Sequence, residues 1–319
     1  MKFFFLPGLR YLAAFISIVL ASLSCQQADD AVAVPQTITD RILEDDQFSL
    51  LRAAVNHADV GDVLKGGNLT LFAPTNAAFQ QAGLATEAAI TALPTERVKQ
   101  IILYHLLTSP VSSTALPEGL NSVPTINQSA VYINKTGSST VYVNNAQVTQ
   151  PDLVVANGYI HVIDRLLTPA AGNLLTTIQA NPNLTFLAAV IRRIRATNPA
   201  LAGTFDGTTS SSTLTLFAPN DEAFKADSRF GSLSAIDVAD PQVLSNLLLY
   251  HTASGVVFSN QLLTGTITTM LTNSRLSVTV TNNFITVKGN RNTSQAVIRE
   301  PDLTTTNGVI HVIDQVLVP

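Results

Sequence analysis

The chain of 319 residues has no tryptophan, a single cysteine and two methionines, and only 13% of its residues are charged. With Cys25 alone, no disulfide closes within the chain, so each folded unit must be stable through its apolar core. No second thiol is available to hold a metal or to act as a nucleophile. Five histidines are present, and none stands in a His-Glu-x-x-His zinc helix. A Gly-x-Ser-x-Gly elbow and a phosphate-cradling glycine loop are also missing. The formal charge is −4, and removing Lys2 and Arg10 with a leader takes it to −6, which is no footprint for nucleic acid. Without tryptophan, sugar stacking would fall to the tyrosines. Past the first residues, no run approaches the roughly 20 apolar residues of a membrane span. Nothing asks for an enzyme or a cofactor, and the expectation is a non-enzymatic protein.

What is present comes twice. Leu69-Thr70-Leu71-Phe72-Ala73-Pro74 returns as Leu214-Thr215-Leu216-Phe217-Ala218-Pro219. The pair Tyr104-His105 returns as Tyr250-His251. Pro151-Asp152-Leu153, followed by Asn157-Gly158 and Ile160-His161-Val162-Ile163-Asp164, returns as Pro301-Asp302-Leu303, Asn307-Gly308 and Ile310-His311-Val312-Ile313-Asp314. A repeat of about 140 residues is the size of a domain, not of a solenoid unit. Two homologous domains are expected, at 36–168 and 171–319, with Thr168-Pro169-Ala170-Ala171-Gly172 as the boundary.

Residues 1–24 read as a signal peptide: Lys2 and Arg10 give a basic start, and Tyr11 to Leu23 form a short uncharged apolar run. Ala21-Ser22-Leu23-Ser24 before Cys25 resembles a bacterial lipobox, with Ser22 where leucine is commonest. Cys25 is therefore the expected lipidation site, and 25–35 a flexible lipidated tether. Gln27-Ala28-Asp29-Asp30 is similar to the surface-export signal of Bacteroidetes lipoproteins. The expected location is the outer membrane, lipid-anchored and exposed at the surface.

Within a repeat, apolar periodicity predicts helix over Thr37 to Val63, capped by Asp40 or Thr39, and over Leu174 to Arg195. Glu44-Asp45-Asp46 reads as charge favoured at a helix start. Leu69 to Ala73 reads as a strand ended by Pro74. Thr75 and Asn220 would then cap a helix, with Ala77, Ala78 and Phe79 packing inward. Ala200 to Ser212 reads as an enlarged loop. Val131 to Asn134 with Val141 to Val143, and Leu276 to Thr281 with Phe284 to Lys288, read as hairpins, the second turning at Asn282-Asn283. Asn157-Gly158 and Asn307-Gly308 mark another.

His105 and His251 fall on the apolar stripe of their helices, where a buried imidazole must satisfy both ring nitrogens. The alternative is direct ligand contact. Tyr104 and Tyr250 lie one helical step away and are expected to keep their hydroxyls near the surface. His161 and His311 are expected to find a hydrogen-bonded partner at a sheet edge, with ligand contact as the other reading.

The three blocks, in this order and twice, resemble the fasciclin-like domain family. The resemblance implies an α+β fold, a twisted β-wedge or sandwich with helices packed on one side. It also implies that the first and last blocks lie together. In that family the Tyr-His pair is linked to adhesion-receptor contact, which makes Tyr104, His105, Tyr250 and His251 candidate interaction residues. Thr252-Ala253 follows the second pair where Leu106-Leu107 follows the first, so the two surfaces need not act alike. The expected function is a cell-surface adhesion lipoprotein binding extracellular protein or matrix. The alternative is an accessory component of a glycan-handling or envelope complex, with a glycan partner.

Overall fold

The computed structural model describes residue 1 and residues 35–137, 140–208 and 213–319. The leader and Cys25 lie outside the described residues. Residues 36–319 form one compact unit containing two seven-stranded mixed sheets.

The first repeat opens with α1 (Ile38–Glu44), a 3-10 turn (Asp46–Phe48), α2 (Ser49–Ala58) and α3 (Gly61–Leu64). The single helix expected over this stretch is thus broken. Thr37 is the cap, in a capping box with Asp40, and Asp45 caps the 3-10 turn by accepting from the Gln47 amide. Asp59 then closes α2 in the left-handed region.

Next come β1 (Leu69–Pro74), α4 (Asn76–Gln81), α5 (Glu87–Thr91), α6 (Thr95–Tyr104) and β2 (Leu106–Leu107). Thr75 caps α4 as expected, but Ala77 is exposed and only Ala78 and Phe79 turn inward. The β-rich part comprises β3 (Gly119–Pro124), β4 (Ala130–Thr136), β5 (Thr140–Val143), β6 (Ala146–Val155) and β7 (Gly158–Ile163).

The second repeat follows the same plan. Its helices α7 (Leu174–Ala180), α8 (Thr185–Arg195) and α9 (Pro199–Asp206) precede β8 (Leu214–Pro219). The first part of the loop expected over Ala200 to Ser212 is instead the helix α9, and 209–212 lie outside the described residues. Pro199 sits at its first position, Asn198 caps it, and Gly207 ends it at φ 75°, so the breaker residues mark its ends. Then come α10 (Asp221–Lys225), α11 (Leu233–Val238), α12 (Pro241–Tyr250), β9 (Thr252–Ser254), β10 (Gly265–Thr268), β11 (Arg275–Val280), β12 (Ile285–Lys288), β13 (Ala296–Thr305) and β14 (Gly308–Ile313).

The strand orders are β2-β1-β7-β6-β5-β4-β3 and β10-β11-β12-β13-β14-β8-β9, which are the same order read from opposite edges once β8 to β14 are matched to β1 to β7. β1 lies parallel to β7, with Leu71 opposite Ile160 and Phe72 opposite His161; β8 and β14 repeat this with Leu216–Ile310 and Phe217–His311. First and last blocks are therefore neighbours, as the resemblance implied. Each sheet nearly closes on itself: the Ile126 amide donates to the Leu106 carbonyl at 2.9 Å, and the Met270 amide to the Thr252 carbonyl at 2.7 Å.

β1 is buried along its whole length. Leu69, Leu71 and Ala73 face a core made with the helices, while Phe72 faces a second core with Tyr104 and Ile163. Leu214, Leu216 and Ala218 against Phe217, Tyr250 and Ile313 reproduce this arrangement. Helices therefore cover one side of a β-wedge whose strand β1 is buried on both faces, which explains why it can carry a polar residue only if that residue is paired. Thr70 is such a residue: its hydroxyl donates to the Ser109 carbonyl at 2.7 Å and accepts from the Val111 amide at 2.8 Å.

Candidate interaction site

The Tyr-His pair ends α6 and α12, where the last helical carbonyls lack partners within the helix. His105 is fully buried, and its Nδ1–H donates back to the Ile101 carbonyl at 2.8 Å while Nε2 accepts from the Leu167 amide at 3.0 Å. His251 does the same with Leu247 at 2.8 Å and Leu317 at 2.9 Å. Each imidazole therefore clamps the end of a helix to the chain segment just after the last strand. Both nitrogens are used only if the ring is neutral with the proton on Nδ1. Burial pushes each pKa down from 6.5 to about 4, against the weaker opposing pull of the carbonyl.

The tyrosines correct the surface expectation. Tyr104 is 1% exposed and Tyr250 is 0% exposed. The Tyr104 hydroxyl donates to the Ala130 carbonyl at 2.9 Å and accepts from Asn144 Nδ2 at 3.0 Å. Tyr250 donates to the Arg275 carbonyl at 3.1 Å and accepts from the Asn290 amide at 2.9 Å. One helical step away from the helix-side core leads here to the second core, because the sheet curls over both faces of the helix end. Burial raises the Tyr104 pKa to about 12.

His161 and His311 do have hydrogen-bonded partners, but not at a sheet edge: β7 and β14 lie inside their sheets. His161 Nε2–H donates to the Val111 carbonyl at 2.8 Å, and Nδ1 accepts from the Asp152 amide at 3.1 Å. His311 uses Val257 at 2.9 Å and Asp302 at 3.3 Å. This is the opposite tautomer to that of His105. The Asp302 carboxylate stands 3.8 Å from His311 Nδ1, yet that nitrogen already accepts from an N–H, so the contact is not an ion pair. Burial lowers both pKa values from the ordinary histidine range.

Asp152 and Asp302 take left-handed backbone conformations, at φ 58° and 65°. Their carboxylates grip the amide and hydroxyl of Ser113 and Ser259 respectively. These serines give no repeat signal in the sequence because their surroundings differ between repeats; the shared Pro-Asp-Leu is the visible half of the lock. Asn144, the partner of Tyr104, likewise has no side-chain counterpart in the second repeat.

The two repeats meet at a seam beside Tyr104. Tyr132 of β4 packs against Phe258, with ring centroids 6.0 Å apart, and against Val256 and Val309. The Asn144 carbonyl accepts from Asn260 Nδ2 at 3.0 Å. Tyr104, through Asn144, thus supports the junction with the second repeat, whereas Tyr250 supports only its own sheet. Among the described residues, no group of three or more His, Cys, Asp or Glu side chains is placed to hold a metal ion, and no helix is long and apolar enough to cross a membrane.

The duplicated strand, Tyr-His helix end and Asn-Gly hairpin coincide with a known domain. The family model described as Fasciclin domain matches residues 46–169 and again 182–319. The chain belongs to the fasciclin family. Human periostin is 28% identical over 254 residues, covering 79% of this chain and 28% of its own. The pig transforming growth factor-beta-induced protein ig-h3 is 27% identical over 79% of this chain and 35% of its own. The chain therefore spans about a third of the length of these two relatives. An uncharacterized protein of Synechocystis, 34% identical over 133 residues, matches 41% of this chain and 96% of its own length, one fasciclin unit's worth. Among solved structures, a FAS1 domain pair from the insect cell adhesion molecule Fasciclin I covers 85% of this chain and 96% of its own, at 20% identity and a TM-score of 0.42.

Proposed function

We propose that this fasciclin protein is a non-enzymatic interaction module of the cell surface, binding extracellular protein or matrix, and held at the outer membrane by an acylated Cys25. The observation that carries the reading is the state of the repeated motifs. All four histidines and both tyrosines that recur are buried and spend their polar atoms on the protein itself. Groups committed in this way serve to hold a shape, and a shape without reactive groups acts by presenting surface. The tyrosines and histidines of the candidate set then support adhesion by positioning the loops around them.

The test uses cells carrying the wild-type chain, Cys25→Ser or no chain, on surfaces coated with extracellular matrix protein. Wild type is expected to incorporate a fatty-acid analogue and to retain several-fold more cells than the deletion strain. Cys25→Ser should lose the label and release the protein to the medium, with attachment falling to the deletion level. Equal attachment with and without the chain, on protein and glycan coatings alike, sinks the adhesion reading. Attachment only to glycan coatings favours the glycan-handling alternative. Labelling of Cys25→Ser at the wild-type level removes the anchor from the proposal.

A further inference from the structure

A cleft of about 330 Å3 opens where the two repeats meet, with Asn144 in its lining. Four hydrogen-bonding side chains line it without being used elsewhere in the protein. Arg97, in the first turn of α6, has neither an ion pair nor a side-chain hydrogen bond among the described residues. The Asn145 amide and the Thr168 hydroxyl are equally uncommitted among the described residues. The Thr177 hydroxyl is buried and meets no hydrogen-bond partner among them. A buried hydroxyl left unpaired is unfavourable, and a ligand that pairs it recovers that loss.

The charge in the cleft has one sign. Asp302 contributes to the lining, but its carboxylate is turned inward onto Ser259, and the side chain is 3% exposed. Glu96, beside Arg97, is occupied along the helix by Gln100 at 2.8 Å. Leu166 and Leu303 supply apolar wall. One unpaired guanidinium, two hydroxyls, an amide and an apolar wall together match a small ring that carries a carboxylate, several hydroxyls and a C–H face. A peptide fits less well, since the main chain of Leu303 and Thr304 is already paired with Ile310 and Val309 and offers no free edge.

We propose that the seam between the two repeats binds an acidic sugar of the uronate class, with Arg97 on its carboxylate and Asn145, Thr168 and Thr177 on its hydroxyls. The site is made by both repeats and by neither alone, which gives the tandem arrangement a role beyond doubling a surface. It stands apart from the adhesion reading, because cell attachment can fail while this cleft still binds. With no tryptophan to stack on the ring, recognition leans on the charge.

Calorimetric titration of the full-length protein with digalacturonic acid, and with neutral galactobiose as control, tests the assignment. Saturable binding of the uronate is expected, at least about tenfold tighter than the neutral sugar, as one charge-assisted contact provides. Arg97→Ala should abolish that preference with the melting temperature unchanged, since the residue is exposed and unpaired. Thr177→Val, which keeps the side-chain shape, should weaken binding several-fold and leave stability intact or slightly higher. Equal affinity for the two sugars, no binding of either, or wild-type binding by Arg97→Ala overturns the proposal. Uronate binding that is unaffected by Thr177→Val removes the seam from it and leaves only a surface cation.

Discussion

Acidification from pH 7 to pH 4 is expected to remove about 3 kcal/mol of folding stability from each repeat through a single side chain, His105 in the first and His251 in the second. Burial holds both folded-state pKa values down at about 4, against 6.5 for an unperturbed imidazole. Between those values the unfolded chain binds the proton and the folded one does not. Stability is therefore fully present above pH 6.5 and falls as the pH drops through the window to 4. The geometry explains why the proton is refused: Nε2 faces the Leu167 or Leu317 N–H, and a second N–H cannot be accommodated there. His161 and His311, with pKa values lowered by burial as well, add to the slope in the same direction.

Urea midpoints of wild type and of the double variant His105→Gln/His251→Gln, taken at pH 7, 5.5 and 4, separate this effect from carboxylate titration. The variant should be weaker at pH 7, by about 1–3 kcal/mol per site, because a buried partner is lost. Its decline on acidification should be shallower than that of wild type. Parallel curves for the two proteins would show that these imidazoles charge freely in the fold.

An even larger loss is expected from one methyl group. A Cβ on Gly158 would stand 1.8 Å from the Leu69 carbonyl oxygen, and one on Gly308 would stand 2.1 Å from that of Leu214. The clash is with main chain of the central parallel pair, so no rotamer relieves it. Gly158→Ala and Gly308→Ala should each cost at least about 4 kcal/mol and leave the affected repeat unfolded or barely folded. Gly83 provides the contrast: its φ is 79°, but nothing lies within 4 Å of a Cβ there. Gly83→Ala should cost only about 1–2 kcal/mol, the strain of a left-handed alanine. Thermal unfolding of the three variants decides the matter, and a Gly158→Ala protein as stable as Gly83→Ala would contradict the strand pairing.

The neighbouring Asn157 shows how much of this was legible. As a sequence signal, Asn157-Gly158 predicted a hairpin, and β6 and β7 do turn there, with Val155 opposite Gly158. The signal did not disclose that Asn157 also receives the Ile38 amide at 2.9 Å and donates to the Leu64 and Gly66 carbonyls at 2.8 and 2.9 Å, tying helices to the turn. Turn chemistry is local and readable, whereas a partner 119 positions away along the chain is not. The same division runs through the Tyr-His pair. Helical periodicity placed His105 in the core correctly, because a stripe on one helix face is a property of the helix alone. It misplaced Tyr104, because the second core that covers the tyrosine is built by strands far along the chain. The α9 segment departs from its sequence expectation for a different reason: proline and glycine signal a loop, yet at a first and a terminal position they delimit a helix. At the seam, Tyr132, Asn144 and Phe258 lie in stretches that differ between repeats, so repetition, the strongest signal in the chain, pointed away from them.

Buried and paired at both ring nitrogens, the recurring histidines act as neutral struts of the fold. Nitrogen-15 NMR of the imidazoles, recorded on the folded protein between pH 7 and pH 5, reads their tautomer and charge directly. His105 and His251 should hold their proton on Nδ1 and stay neutral across the range, while His161 and His311 should hold theirs on Nε2 and charge only below the ordinary histidine value. Titration of any of the four with a midpoint near the ordinary value of about 6.5, or the opposite tautomer in either pair, would rule out this structural role.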